Sequence, residues 1–420
     1  MRGGLSRLYF KIGLHSAPPG TLFYYLHTAM RRLSRRVRLR RSIRGASLRV
    51  VNRAILREGV TVAFRITGGI GDHIIAARYV RDLLAAAGDF KFDIYSGLRH
   101  ETVAWIFSEF THLNACYDDY FAWDALVGQY PLALWLTQFV LVYSDRSDWW
   151  WVNKRNKKLA NICKQIDKFR QKIEPFIDNH PRLDGFLGRT AVLMDMKRSN
   201  FLQGMSGIAY GGDTLRVATD SAALAKFGLH ERGYVTIHNG FDADFAVNGE
   251  RLGKWSTKCY PHFAEVVGIL RAEYPSIRIV QLGTKTSAPI AGVDCDLINR
   301  TSMSETAEIV GKSLLHIDNE SGLVHLASCL GVKSCVIFGP TSADYFAYDN
   351  NITIRPTFCG DCWWVNETWM KDCPRGFAEA RCLSEQPPEG VAKVIIAHLS
   401  GTVSKSQTSD AASSLRTATN

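Results

Sequence analysis

No stretch of this sequence reaches the roughly eighteen apolar residues that a membrane-spanning helix needs, which excludes a helical integral membrane protein. Nor does the N-terminus read as a good secretory leader, because the apolar patch Thr21–Tyr25 is short and runs into arginines. Residues 1–57 contain no aspartate or glutamate, against fourteen lysines and arginines. Setting those fourteen aside leaves 37 of the 51 basic residues to face 40 acidic ones. The formal charge of +11 therefore belongs to the arm alone. No nucleic-acid-binding motif accompanies it, so a nucleic-acid partner is not expected. Cysteine, by contrast, is present ten times. Without a leader, this points to a reducing, cytoplasmic setting and to free thiols or metal ligation over disulfides.

In the arm, Phe23, Tyr24, Tyr25, Leu26, Met30, Leu33, Val37 and Leu39 interleave with Arg31, Arg32, Arg35, Arg36, Arg38, Arg40 and Arg41. A helix of that composition suits an anionic membrane surface, where each basic residue contributes about 1 kcal/mol. A solvated arm and an organelle transit segment stay open. Beyond it, 420 residues with 46% hydrophobic composition are enough for two or three domains.

The chain then alternates strand and helix. Val60–Ile66 is β-branched and ends in Thr67-Gly68-Gly69-Ile70-Gly71-Asp72, a glycine loop that opens a helix from His73 to Ala87. Gly69-Ile70-Gly71 with Asp93 also fits part of a dinucleotide fingerprint, but Ile74 stands where the third glycine should be. Lys91–Ser96 reads as strand, His100–Phe107 as helix and Pro131–Tyr143 as one apolar strand, whereas Leu183–Asp220 shows no clear period. Trp149–Trp151 reads more readily as packing than as a site, with the lysine-rich Lys154–Lys172 after it. In the second half, Tyr234–His238, Ile277–Leu282 and Val332–Phe338 read as strands. Helices are expected at His262–Glu273, Ser304–Lys312, Leu323–Leu330 and Val391–Leu399. That rhythm predicts a parallel sheet covered by helices on both faces. A long polar loop, Asn239–Cys259, interrupts it.

The chain is organised around His316–Thr341, HIDNESGLVHLASCLGVKSCVIFGPT. It reads as strand, polar turn Asp318–Gly322, helix closed by Gly331, and strand ended by Gly339-Pro340. Ligands of such βαβ units sit beyond the carboxyl ends of the strands. Ser321 and Gly322 stand where a helix exposes unpaired N–H groups, which suits a diphosphate as well as it suits simple capping by Asp318, Asn319 and Ser321. Further on, Cys359, Cys362, Cys373 and Cys382 supply four thiols in a short segment, a candidate structural zinc or iron site with no open position for substrate. The competing reading is four unrelated thiols in an aromatic-rich insertion.

The His316–Thr341 stretch resembles the donor-binding signature of the family 9 glycosyltransferases, the bacterial heptosyltransferases of lipopolysaccharide synthesis. Glu320 stands where that family usually has aspartate, one methylene shorter. GGIGDHI at Gly68–Ile74 resembles the family's N-terminal loop, whose acidic residue, the proposed catalytic base, maps onto Asp72. A helix-terminal carboxylate is the plainer role for the same residue. TKCYPHF resembles the element that places a lysine before a helix, here Lys258, with Tyr260 in place of tryptophan.

The resemblance implies an α/β GT-B architecture, two Rossmann-like domains facing across a cleft. These would be an acceptor-side domain over 58–228 and a nucleotide-sugar domain over 229–400, flanked by the basic arm 1–57 and a disordered tail 401–420. It implies inverting transfer of a sugar, heptose above all, from a nucleotide-diphosphate donor such as ADP-heptose to a glycan or lipid-linked acceptor. Asp72 and Lys258 would be catalytic, and Gly69, Gly71, Glu320, Ser321, Gly322, His325 and Thr341 would bind donor. No catalytic metal is expected. The cysteine insertion at 359–382 resembles that of the autotransporter heptosyltransferases, iron-containing and oligomeric, which adds a protein O-heptosyltransferase and a homo-oligomer to the expectations. An NAD-dependent oxidoreductase and a non-catalytic, metal-bearing scaffold stand as the alternatives.

Overall fold

A computed structural model describes residues 59–117, 123, 124, 126–240, 246, 247, 250, 251 and 256–401. The basic arm and the residues after Gly401 lie outside the described residues, as does most of the loop between Gly240 and Ser256.

The first sheet is built from β1 (Thr61–Ile66), β2 (Lys91–Ser96), β3 (Leu113–Tyr117), β4 (Leu132–Leu136) and β5 (Val140–Val142), in the order β3-β2-β1-β4-β5. Helix α1 (Ile70–Ala87) follows β1, and α2 (His100–Ile106) follows β2. All pairs are parallel except β4 with β5. The single strand expected over Pro131–Tyr143 is thus two. Thr137 and Gln138 interrupt the apolar run, and the Thr137 N–H donates to the Phe139 carbonyl to close a turn at 3.0 Å.

The stretch without a clear period folds as short helices. After α3 (Trp149–Arg155) and the long α4 (Lys157–Asp178) come α5 (Asp184–Leu193), α6 (Phe201–Ser206) and α7 (Ala223–Lys226). In α4, Leu159, Ala160, Cys163, Ile166, Ile173 and Ile177 are buried at helical spacing, so its lysines occupy the outer face. Asp148 and Asn156 cap α3 and α4 by accepting from Trp151 N and Leu159 N.

The second sheet runs β10-β9-β6-β11-β12-β13, every pair parallel. Its strands are β6 (Tyr234–Ile237), β9 (Arg278–Gln281), β10 (Cys295–Asp296), β11 (His316–Asn319), β12 (Ser334–Ile337) and β13 (Ile352–Ile354). A separate hairpin pairs β7 (Ala246–Val247) with β8 (Glu250–Arg251). Helices α8 (Phe263–Glu273), α9 (Met303–Gly311), α10 (Gly322–Cys329), α11 (Ala343–Phe346) and α12 (Arg381–Ser384) cover the sheet, with a last helical stretch over 388–401. Tyr234 and Val235 show the alternation that makes it a buried sheet. Val235 joins Val266, Ile317 and Ile395 on one face, and Tyr234 joins Val280, Ile309 and Ala327 on the other.

Strand β11 runs on to Asn319, so Asp318 and Asn319 are strand residues and not the helix caps allowed for above. The cap is Ser321, whose Oγ accepts from Leu323 N at 3.1 Å. The two halves are packed together. Leu326 and Cys329 of α10 join the first sheet's core. A second shared cluster gathers Phe139, Leu187, Phe201, Tyr345, Trp363 and Trp369. Among the described residues, no helix is long and apolar enough to cross a membrane.

Candidate active site

In each sheet the strand order reverses beside the first strand of the half, between β1 and β4 and between β6 and β11. A crevice opens at the carboxyl ends of the strands at such a point. The glycine loop leaves β1 at the first reversal. Gly68 has φ +109°, and a Cβ there would lie 2.1 Å from Asp72 Oδ2, so only glycine fits. The carboxylate can therefore fold back over the loop, and Oδ2 accepts from Gly69 N at 3.0 Å. Oδ1 accepts from Arg198 Nη2 at 2.8 Å and Gln138 Nε2 at 3.3 Å. The Asp72 side chain is 27% exposed and the Arg198 side chain 2%, so one edge of the carboxylate reaches solvent while its partner is buried. The helix-terminal role is thus met through Oδ2, and the carboxylate stays partly open to solvent.

At the second reversal, Asp318 is fully buried and gathers its neighbours. His238 Nδ1 lies 3.1 Å from both its oxygens, His316 Nε2 lies 3.2 Å from Oδ2, and Ser321 Oγ donates to Oδ2. Burial would raise this carboxyl, but the two histidines outweigh it and hold it below the usual range. Ser321 is thereby fixed at the start of α10. Asn319 joins the loops, accepting from Tyr260 N at 3.1 Å and donating to the Ile337 carbonyl at 3.2 Å.

Glu320 and Lys258 are partners, with Nζ donating to Oε2 at 2.8 Å. His325 Nε2 stands 3.6 Å from the other Glu320 oxygen. Burial works against the charged carboxylate, yet Lys258 and His325 together bring it from an ordinary 4.5 to about 2. The extra methylene relative to aspartate lets the carboxylate span from the lysine to the imidazole.

These two ends meet. A Cβ at Gly71 would lie 2.4 Å from His325 Cδ2, and one at Gly322 would lie 3.4 Å from Gly71 N. The amino termini of α1 and α10 thus oppose each other at contact distance. Their positive dipole ends therefore lie in one region, with the Lys258 ammonium beside α10 through its pair with Glu320. Such a place favours a group carrying more than one negative charge.

Thr341, also assigned to the donor from sequence, follows β12 and is buried. Asp93 does not reach the glycine loop as a ribose-binding acid would. It is buried, and it accepts from Asn114 Nδ2 at 2.9 Å and from the Tyr130 hydroxyl. Arg198, Gln138, Arg78 and Tyr348 were not found from sequence. They act across distances of 66 to 270 positions in the chain, which no local pattern encodes.

All ten cysteines are free. Burial, then charge from Cys359, Cys362 and Cys373, pushes the Cys382 thiol up, and burial followed by Cys373 and Cys359 puts Cys362 at about 11. The four thiols therefore lie within electrostatic reach of one another. As they stand, however, no group of three or more His, Cys, Asp or Glu among the described residues is set to hold a metal ion. Trp363 stacks on Tyr345 with centroids 5.9 Å apart, so the insertion's tryptophans pack between the halves. Cys359 and Cys382 lie instead at the apolar cluster under the second sheet.

Residues 249–357 match glycosyltransferase family 9 (heptosyltransferase). With two Rossmann-like sheets meeting at their switch points, the chain is a glycosyltransferase of GT-B fold. Among solved structures it is similar to the iron-containing dodecameric glycosyltransferase TibC from enterotoxigenic E. coli H10407. The TM-score is 0.52 and the identity 13%, over 81% of this chain and 78% of that one. TibC in complex with ADP-D-beta-D-heptose gives a TM-score of 0.50 and 14% identity, over 82% and 76%. E. coli ADP-heptose lipopolysaccharide heptosyltransferase II gives 0.49 and 15%, over 82% and 99%. At these identities the likeness is one of fold. No curated protein matches the sequence.

Proposed function

We propose that the chain is an inverting glycosyltransferase that moves a sugar, heptose by preference, from a nucleotide-diphosphate donor to a hydroxyl of a lipopolysaccharide or other glycan. The observation that carries this is the contact of the Gly69–Asp72 loop with the Glu320–His325 turn, Gly71 against the His325 ring. In this reading 58–228 is the acceptor-side domain and 229–400 the donor domain. Asp72, on its solvent-facing edge, takes the proton of the acceptor hydroxyl. The oxygen forms its bond to the anomeric carbon from the face opposite the diphosphate, and the carbon–oxygen bond to the diphosphate breaks. Lys258 and the N–H groups at Ser321 and Gly322 take up the charge on the departing diphosphate. Glu320 and His325 hold the donor sugar and phosphate, and Thr341 completes the donor edge. No divalent ion is needed in this scheme, because those cationic and N–H groups supply its electrostatic contribution.

A thermal-shift screen against ADP, GDP and UDP tests the donor side. Stabilisation by ADP above the others supports an ADP-heptose donor, and no response to any of the three counts against nucleotide-sugar chemistry altogether.

Two finer elements belong to this reading. The first is that Cys359, Cys362, Cys373 and Cys382 close round one structural zinc or iron ion, as the likeness in fold to the iron-containing, dodecameric TibC encourages. Elemental analysis should give about one metal ion per chain, and metal-free protein with four titratable thiols would remove the idea. A protein acceptor and a homo-oligomer go with that variant. The second is that the arm holds the enzyme at the anionic inner surface of the cytoplasmic membrane. Vesicle binding by full-length protein that survives unchanged on deleting 1–57 would contradict it.

A further inference from the structure

Arg78 is fully buried on α1, the helix that carries Asp72, yet among the described residues all its hydrogen-bond and ion-pair partners but one lie in the other half of the molecule. Nη1 donates to the Tyr348 hydroxyl at 2.7 Å, and Nη2 donates to the His325 carbonyl at 3.3 Å and to Cys329 Sγ at 3.2 Å. The exception is Asp213, 3.7 Å from Nη1, which supplies a counter-charge. Tyr348 is buried as well, and its oxygen lies 2.6 Å from His325 Nδ1.

We propose that Arg78 and Tyr348 are positioning residues for His325, holding Nδ1 as a hydrogen-bond acceptor and the ring hydrogen on Nε2, the nitrogen that faces Glu320 and the donor. The argument is one of proton inventory. A guanidinium only donates, so the Tyr348 oxygen accepts from Arg78. Burial pushes the Tyr348 phenol up to about 12, with Arg78 holding it back, so the hydroxyl keeps its proton at neutral pH. Among the described residues, the one acceptor offered to that proton is His325 Nδ1. Turning the hydroxyl elsewhere would strand a buried donor at a cost of about 1–3 kcal/mol. With Nδ1 accepting, the ring hydrogen sits on Nε2, 3.6 Å from Glu320 Oε1. A proton on Nδ1 would instead leave the Tyr348 hydroxyl hydrogen without an acceptor among the described residues. The helix that positions the base thus also determines which hydrogen-bonding face His325 shows the donor. The arrangement rests on the reading of His325 as a donor-side residue, although the tautomer itself does not.

The test is nitrogen NMR on full-length protein labelled at histidine, which separates a ring nitrogen that carries hydrogen from one that does not. The His325 signal is assigned by its loss in His325→Gln. In the wild type, Nε2 should be protonated and Nδ1 bare. In Tyr348→Phe the hydrogen should redistribute between the two, and affinity for a nucleotide sugar should fall about five- to tenfold, one hydrogen bond's worth. Hydrogen on Nδ1 in the wild type, a doubly protonated ring, or an unchanged tautomer in Tyr348→Phe would overturn the proposal. If Tyr348→Phe does not fold, the wild-type spectrum still decides. A purely structural role would lower the melting temperature of Tyr348→Phe and leave the tautomer as it was. A wild-type protein that binds no nucleotide sugar would sink the functional reading alone, since the spectrum needs no ligand.

Discussion

Glu320 lies between Lys258 and His325, and its carboxyl is held at about 2 against an ordinary 4.5. A carboxyl whose folded value is depressed adds stability that is complete above its unfolded value. That stability is lost as pH falls through the folded one. Acid should therefore weaken the native state progressively between about 4.5 and about 2. Glu320→Gln should flatten stability against pH in that window and lower stability at neutral pH, because it leaves the Lys258 ammonium unpaired in a nearly buried site. Urea unfolding across a pH series measures both effects. The same slope in wild type and variant would show that the pair does not set the acid limb. Arg198 illustrates the opposite kind of residue. Nothing around it in the sequence marks it, and its role as the partner of Asp72 exists only once the chain is folded.

The glycine loop and the turn before α10 form one working element, since Gly71 and the His325 ring touch. Gly71→Ala would drive a methyl group to 2.4 Å from a ring atom that Tyr348 holds in place, so the ring or the loop must move. Overpacking of this kind costs about 1–3 kcal/mol, so nucleotide-sugar affinity should fall by roughly ten- to a hundredfold. Gly128→Ala is the control, because a Cβ there meets nothing within 4 Å and the residue is not assigned to the donor, so binding should be near normal. Titration calorimetry separates the two, and equal affinities would mean that the contact is incidental.

This scale is also where sequence reading succeeds and fails. The units β1–α1 and β11–α10–β12 were legible because a β-branched run, a glycine turn and a helical period sit next to one another. The turn at Thr137–Phe139 was not, because three residues inside an apolar run carry too little signal. Asp318 looked like turn and is strand, since its partners His238 and His316 make a buried carboxylate tolerable where composition alone forbids it.

At the scale of the molecule, two parallel sheets bring their switch points together, and the helices leaving them are locked by Arg78 and by the shared aromatic cluster around Trp363. Asp72 and the Lys258–Glu320 pair are therefore held by opposite halves, which in the proposed reading is what transfer between two substrates requires. The cysteine insertion contributes to that lock through its tryptophans, a contribution that the spacing of its thiols did not foretell. The most direct measurement is transfer of labelled sugar from ADP-heptose to heptose-deficient lipopolysaccharide by the wild type and by Asp72→Asn, with donor affinity measured alongside. The account predicts turnover by the wild type and a loss of at least about a hundredfold in the variant at unchanged donor affinity. Near-wild-type turnover in Asp72→Asn would contradict it.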